Sequence, residues 1–235
     1  MAVLVAASAL AGVVGCVDLD PAGSARRTGD GDAASDTTMI GPSPDQMNEP
    51  PAAPVPGGAG ALVDQLVVVP EAGADSYERD LFGSGWIDAD GDGCDTRAEV
   101  LIAESLTPAQ VDPYGCAVTA GDWLSSYDGY TTTDPAELEI DHVVALAEAW
   151  RSGASQWDGQ RRLAFANDLD EPSALIAVTA STNRSKSDRD PASWQPPSTA
   201  SWCGFATAWV TVKVRWALTA DRVEIDALRN ILASC

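Results

Sequence analysis

The sequence predicts an α+β fold, and three observations carry that reading. Residues 138–146 and 174–179 are short runs rich in β-branched and apolar residues, and they read as strands. Residues 96–106 and 201–218 read as helices, the second with large apolar residues at three- and four-residue spacing. There is no long parallel-sheet pattern of alternating strands and helices. The length of 235 residues suits one domain with a core large enough to fold without a metal or disulfide staple.

Residues 1–15 form an apolar, small-residue run, long enough for a signal-peptide core and too short to span a bilayer. The run ends in Val13-Val14-Gly15-Cys16, which resembles the bacterial lipobox, whose cysteine is lipidated and becomes the new N-terminus. No Lys or Arg precedes it, a departure from that pattern; an ordinary signal peptide cut nearby is the other reading. Residues 1–16 are thus expected to direct export, with lipid on Cys16 as the link to a membrane. Residues 17–60 hold seven of the fifteen prolines and seven of the twenty glycines. So little apolar surface cannot offset chain entropy, and a disordered linker is expected. All eight tryptophans lie beyond it, so the folded domain is expected over 61–235.

Inside that domain, 62–69 contains three consecutive valines and reads as strand or helix, and 77–87 is a poor helix because of Gly83 and Gly85. Thr107-Pro108 stops the helix of 96–106. Residues 182–188 form a polar turn or short helix closed by Pro191. Trp202, Phe205, Trp209, Val212 and Trp216 mark one buried helical face. Asp221 is expected to N-cap a last helix, with Glu224 completing a capping box.

The five cysteines are Cys16, Cys94, Cys116, Cys203 and Cys235. With Cys16 set apart, four remain for two disulfides in an oxidising compartment. Three pairings can join them; nearness in sequence favours Cys94–Cys116 and Cys203–Cys235, the latter tying down the chain end.

The chain's one histidine, His142, follows Asp141 in an otherwise apolar strand. Some forty residues later a second strand ends in Asn183-Arg184-Ser185-Lys186-Ser187-Asp188. Near neutral pH, His142 is the one side chain with an ordinary pKa suited to a general base. Asp141 and Asn183 offer the hard oxygens that Mg²⁺ prefers. Neighbours on an ideal strand face opposite ways, so a bulge is needed to bring Asp141 and His142 to one site.

An Asp-His strand followed by a strand ending in Asn-Arg-x-Lys-Ser-Asp resembles the HNH nucleases, also called ββα-metal or His-Me finger endonucleases. The pattern is similar to the GmrSD-type C-terminal HNH domain and to small secreted HNH proteins of actinobacteria. In that secreted group it extends to Asp90-Gly91-Asp92-Gly93-Cys94-Asp95-Thr96-Arg97, Ala149-Trp150-Arg151-Ser152-Gly153-Ala154, Phe165-Ala166-Asn167-Asp168 and Asp190-Pro191-Ala192-Ser193-Trp194-Gln195-Pro196-Pro197. It covers roughly residues 77–235. The resemblance implies a ββα-metal core in a mostly helical domain, with His142 as base and Asp141 and Asn183 holding Mg²⁺ or another divalent cation. It also implies that Asn167 braces the loop between the strands. Arg184 and Lys186 are placed to meet phosphate oxygens of DNA or RNA, or to form a solvated surface pair.

A second constellation is independent of this. Residues 88–99 fit D-x-D-x-D-G-x₅-E, with Asp88, Asp90, Asp92 and Glu99 at positions one, three, five and twelve of a calcium loop. One copy is present, where such loops usually pair, and Cys94 takes position seven. The other reading is an acidic turn in which Arg97 and Glu99 make internal ion pairs.

The function expected is an exported, metal-dependent endonuclease with little sequence preference, hydrolysing phosphodiester bonds of DNA or RNA. The alternative is a calcium-binding extracellular module with a degenerate nuclease site. With no free thiol and no G-x-S-x-G, a serine or cysteine hydrolase is disfavoured. The net charge of −21 argues against nucleic acid until it is divided along the chain. Residues 1–138 carry 23 acidic and 4 basic side chains, residues 139–235 carry 12 and 10. Arg151, Arg161, Arg162, Arg184, Lys186 and Arg189 all belong to the second part, which points to weak, salt-sensitive binding helped by a metal.

Overall fold

In a computed structural model the described residues are 58–235. The expected signal peptide, Cys16 and most of the expected linker lie outside them. The described elements run α1 (Ala59–Val63), α2 (Thr96–Glu104), β1 (Gln110–Val111), β2 (Val118–Ala120), β3 (Trp123–Leu124), β4 (Thr131–Thr132), β5 (Leu138–His142), α3 (Leu146–Arg151), α4 (Gly159–Ala166), β6 (Leu175–Thr179), α5 (Ala180–Lys186), α6 (Trp202–Arg215) and α7 (Arg222–Leu232). The strands form three antiparallel pairs, β1–β2, β3–β4 and β5–β6. Among the described residues no helix is long and apolar enough to cross a membrane.

The mixed class holds, with shifted boundaries. The strand expected over 138–146 ends at His142, because Leu146-Ala147-Glu148-Ala149-Trp150 are mostly strong helix formers and open α3. Residues 62–69 divide between α1 and an extended stretch where Val68 makes a parallel bridge to Ala220. The poor helix of 77–87 is a 3₁₀ turn, Arg79–Phe82, ended by Gly83 at φ 103°. Glycine suits this conformation, which L side chains rarely adopt, and a Cβ there would also have to displace the Leu163 Cδ1, 2.5 Å away. Helix α4 was not foreseen, although Asp158 caps it by accepting from the Arg161 N–H at 2.8 Å.

Phe205, Trp209, Val212 and Trp216 of the α6 segment are buried as expected, and Trp202 is half-buried. Each such side chain contributes roughly 1.5–3 kcal/mol by leaving water. Behind them lies a fully buried Lys213, whose Nζ contacts Glu148 (2.8 Å), Glu224 (2.7 Å), the Ser152 hydroxyl (3.0 Å) and the Thr219 carbonyl (2.9 Å). The capping box expected on α7 is therefore half formed. Asp221 accepts the Glu224 N–H at 2.8 Å, but the Glu224 carboxylate turns inward to Lys213 and to Trp209 Nε1. Cys94 and Cys116 stand at disulfide distance, with Cα atoms 4.9 Å apart, as do Cys203 and Cys235 at 5.7 Å.

The β5–β6 pair runs in unbroken register from Leu138 opposite Thr179 to His142 opposite Leu175. The bulge expected near Asp141 is absent. Both outer edges of this two-stranded sheet are closed by side chains. On β6, Glu104 Oε2 accepts the Ala177 N–H at 2.8 Å and the Ser125 hydroxyl accepts the Thr179 N–H at 3.1 Å. On β5, Arg97 donates to the Leu138 carbonyl at 3.0 Å and Lys186 to the His142 carbonyl at 2.9 Å. Arg97 thus serves the sheet edge and the Pro135 carbonyl, not the ion pair with Glu99 foreseen for an acidic turn.

Burial pushes the Glu104 carboxyl up to about 7 despite the bond from Ala177. The folded state then holds a proton that the unfolded chain releases near pH 4.5, so stability falls as pH rises from there to about 7. Glu104→Gln keeps the acceptor and removes the titration. It should match the wild type near pH 4.5 and exceed it above pH 7, by up to ~3 kcal/mol, in chemical denaturation at the two pH values.

Candidate active site

Asp141, His142, Asn183 and Arg184 all line one cleft of about 550 Å³, together with Tyr77 and Arg79. All four expected residues come from the end of β5 and from α5. Asn183 and Lys186 lie three apart on that helix, Glu139 and Asp141 two apart on the strand, so the pairs meet in parallel. Asn183 Nδ2 donates to Glu139 Oε2 at 2.9 Å, and Lys186 Nζ to Asp141 Oδ1 at 2.9 Å. The first bond fixes the Asn183 amide and leaves its Oδ1 as the acceptor.

His142 is 8% exposed and lies between Trp86, stacked with centroids 5.2 Å apart, and Phe165 at 6.5 Å. Its Nε2 is 2.9 Å from the Ala166 carbonyl oxygen. A carbonyl can only accept, so Nε2 carries the proton and Nδ1 keeps the lone pair. Burial pulls the imidazole down to about 3, partly opposed by the Ala166 carbonyl and reinforced by the charges of Arg79 and Lys186. The ring is neutral at physiological pH, the state a general base needs.

The carbonyl that orients His142 is held by Asn167. Its Oδ1 accepts the Ile87 N–H (3.2 Å) and meets the Thr96 hydroxyl (2.8 Å), and its Nδ2 donates to the Leu163 carbonyl (3.1 Å). These bonds bind the end of α4 to the segment before α2, so Ala166, one residue earlier, is fixed against the histidine. Asn167 braces the intervening segment and does not line the cleft.

Lys186 is not placed to meet a phosphate. Its side chain is fully buried, tied to Asp141 and to the His142 carbonyl, because its position on α5 turns it toward the strand. Asp141 in turn accepts the Tyr127 hydroxyl at 2.7 Å. Burial raises the Asp141 carboxyl, while Lys186 and Tyr127 hold it down. Most of the other expected cations are also structural. Arg151 pairs with Glu71, Glu148 and Asp188 at 2.7–2.8 Å. Arg161 lies over the Trp157 ring at 4.6 Å, and Arg162 Nε donates to the Leu81 carbonyl at 2.9 Å. Arg184 remains 70% exposed at the cleft, beside Glu139 at 2.8 Å.

The acidic loop is separate. Asp88, Asp90 and Asp92 each offer a carboxylate oxygen within 4.8 Å of the others, and carboxylate oxygens of Asp92 and Glu99 lie equally close to each other and to the Cys94 Sγ, which is at disulfide distance from Cys116. Burial and the neighbouring Asp92, Asp90 and Asp88 raise the Glu99 carboxyl. Backbone N–H groups of Gly91 and Gly93 donate to Asp88 at 2.8 and 3.0 Å, so the loop is preformed.

Several contributors to the site were missed in the sequence: Tyr77 and Arg79, which line the cleft, and Glu139, Tyr127, Trp86 and the Ala166 carbonyl, which hold the residues that do. Glu139 had a usable signal, since it shares a strand face with Asp141; the others depend on tertiary contact.

Residues 110–231 match the family described as GmrSD restriction endonucleases, C-terminal domain. The chain is similar to an "Uncharacterized secreted protein" of Arthroderma benhamiae, 41% identical over 199 residues, spanning 85% of this chain and 94% of that protein. That relative is fungal, and neither match ties the chain to actinobacteria. No solved structure matches.

The burial of Lys186 gives a test. Lys186→Met strands the Asp141 carboxylate and should cost roughly 3–5 kcal/mol of stability in a denaturant titration, where loss of a surface phosphate contact would leave stability unchanged.

Proposed function

We propose that this chain, which belongs to the family of the GmrSD restriction endonuclease C-terminal domain, is an HNH-type endonuclease that hydrolyses phosphodiester bonds of DNA with a divalent cation and little sequence preference. The observation that carries this is the neutral imidazole of His142, oriented by a backbone carbonyl at 2.9 Å and lining one cleft with Asp141 and Asn183. We read β5, β6 and α5 as the ββα unit of that family. The secreted relative supports export, for which the run ending at Cys16 would be the signal.

In this mechanism His142 Nδ1 takes the proton of the attacking water, with Nε2–H held on Ala166 so that the ring cannot turn. The Asp141 carboxylate and the Asn183 Oδ1 would hold the cation. Their chemistry fits: both donors are hard oxygens, the Asn183 N–H is already engaged, and a carboxylate accepting two bonds keeps further lone pairs. When bound, the cation neutralises charge on the phosphate and the leaving oxygen. Because Lys186 already balances Asp141, the protein offers little net negative charge there, and the phosphate itself is expected to complete cation binding. Arg184 is exposed where it can contact a phosphate of the substrate.

The test is degradation of supercoiled plasmid in Mg²⁺ or EDTA. Wild-type protein should cut in Mg²⁺ and not in EDTA, and His142→Ala should lower the rate by ~10²–10⁴-fold. Equal cutting by both proteins removes His142 from the base role; no cutting by either favours the binding module. We also propose that the 88–99 loop binds Ca²⁺ structurally, favoured by the convergence of its carboxylates. Ca²⁺ should then raise the Tm of the wild type and not that of Asp90→Ala; an equal shift in both would remove the loop from that role.

A further inference from the structure

The neighbouring cations already have a carboxylate. Arg184 sits on Glu139, while Lys186 and Arg151, which do not line the cleft, sit on Asp141 and Asp188, which do. Arg79 differs: among the described residues no ion pair includes it. Its charge acts on the Tyr77 hydroxyl beside it, and its guanidinium carries five N–H donors.

Its placement is specific. Arg79 lines the main cleft and also the smaller pocket of about 120 Å³ that shares His142 with it. Arg79 is exposed, while the turn that presents it is held firmly. Phe82, 2% exposed, packs against Phe165, Trp150 and Tyr77 at centroid distances of 6.2–6.3 Å. Arg162 grips the Leu81 carbonyl, and Gly83 lets the chain pass Leu163. A mobile cation would lose entropy on gripping a ligand; this one has its backbone fixed beforehand.

Resting on the nuclease reading, we propose that Arg79 binds a non-bridging oxygen of the phosphate next to His142, filling the place that Lys186 cannot. The fork geometry and permanent charge of a guanidinium suit a phosphate, and Arg79 lines the same cleft as Asn183 and Arg184, so it would add a second cationic grip on the backbone there. This residue lies upstream of the family-matched span, 110–231. The substrate site would then be completed by a segment outside that span.

The experiment compares wild type, His142→Ala, Arg79→Ala and Arg79→Lys on a fluorescent DNA duplex in Mg²⁺ at several salt concentrations. Arg79→Ala should lower kcat/KM by ~10–100-fold with an unchanged Tm. The slope of log kcat/KM against log salt should flatten by about one. Arg79→Lys should restore that slope and part of the rate. A kcat/KM within twofold of wild type overturns the proposal, as does a lost rate with an unaltered salt slope, which marks a structural role. In both cases a difference between wild type and His142→Ala leaves the nuclease reading intact. If wild type itself cuts no DNA with any divalent cation, that reading fails and this proposal with it.

Discussion

A two-stranded sheet has two open edges and no further strand to close either. The β5–β6 pair is such a sheet, and it carries the histidine, so much of the surrounding structure meets that constraint. Helix α2 supplies Glu104 and Arg97 to opposite edges, the β3–β4 connection supplies Ser125, and α5 supplies Lys186. Main-chain groups that would otherwise be left unpaired or recruit another chain are thereby satisfied by side chains. The Lys186 contacts, with the Asn183–Glu139 bond, also tie α5 to β5, and so set the approach of Asn183 to the strand that holds His142.

Charge in this protein is used largely for architecture. Lys213 and Lys186 are fully buried, and Arg151, Arg161 and Arg162 are committed to carboxylates, aromatic faces or carbonyls. Buried ions are costly unless matched, and here each is matched by several partners, so they specify one arrangement of helices more than they add stability. The consequence for recognition is a cleft with few exposed cations in a strongly acidic chain.

The chemistry of the site was legible where it depended on order along the chain. Asp141, His142, Asn183 and Arg184 line one cleft, as the order Asp-His then Asn-Arg and the resemblance it carries imply, although strand periodicity alone sends Asp141 and His142 to opposite faces. Both cysteine pairs followed from nearness alone. What was not legible is direction and depth. Lys186 is the same residue type on the surface or in the core, and only the register of α5 against β5 turns it inward. Glu224 has the sequence of a capping residue, yet a buried lysine eleven positions earlier outcompetes the helix terminus for its carboxylate. Trp86 and Ala166 shape the histidine's surroundings through contacts across 56 and 24 positions, and no local pattern announces them.

The disulfide-distance pairs straddle the limits of the family-matched span. Cys94 lies before residue 110 and Cys235 after residue 231, while their partners Cys116 and Cys203 lie inside. The same limits remove α2, with both of its edge-covering side chains, and the Ile87 and Thr96 groups that hold Asn167. A fragment trimmed to the matched residues would carry two orphan thiols and two strand edges that have each lost one covering side chain and keep only Ser125 or Lys186, the ingredients of mispaired, aggregating chains. The modular unit that sequence comparison outlines is therefore smaller than the unit that can be inherited, expressed or transplanted as a working piece.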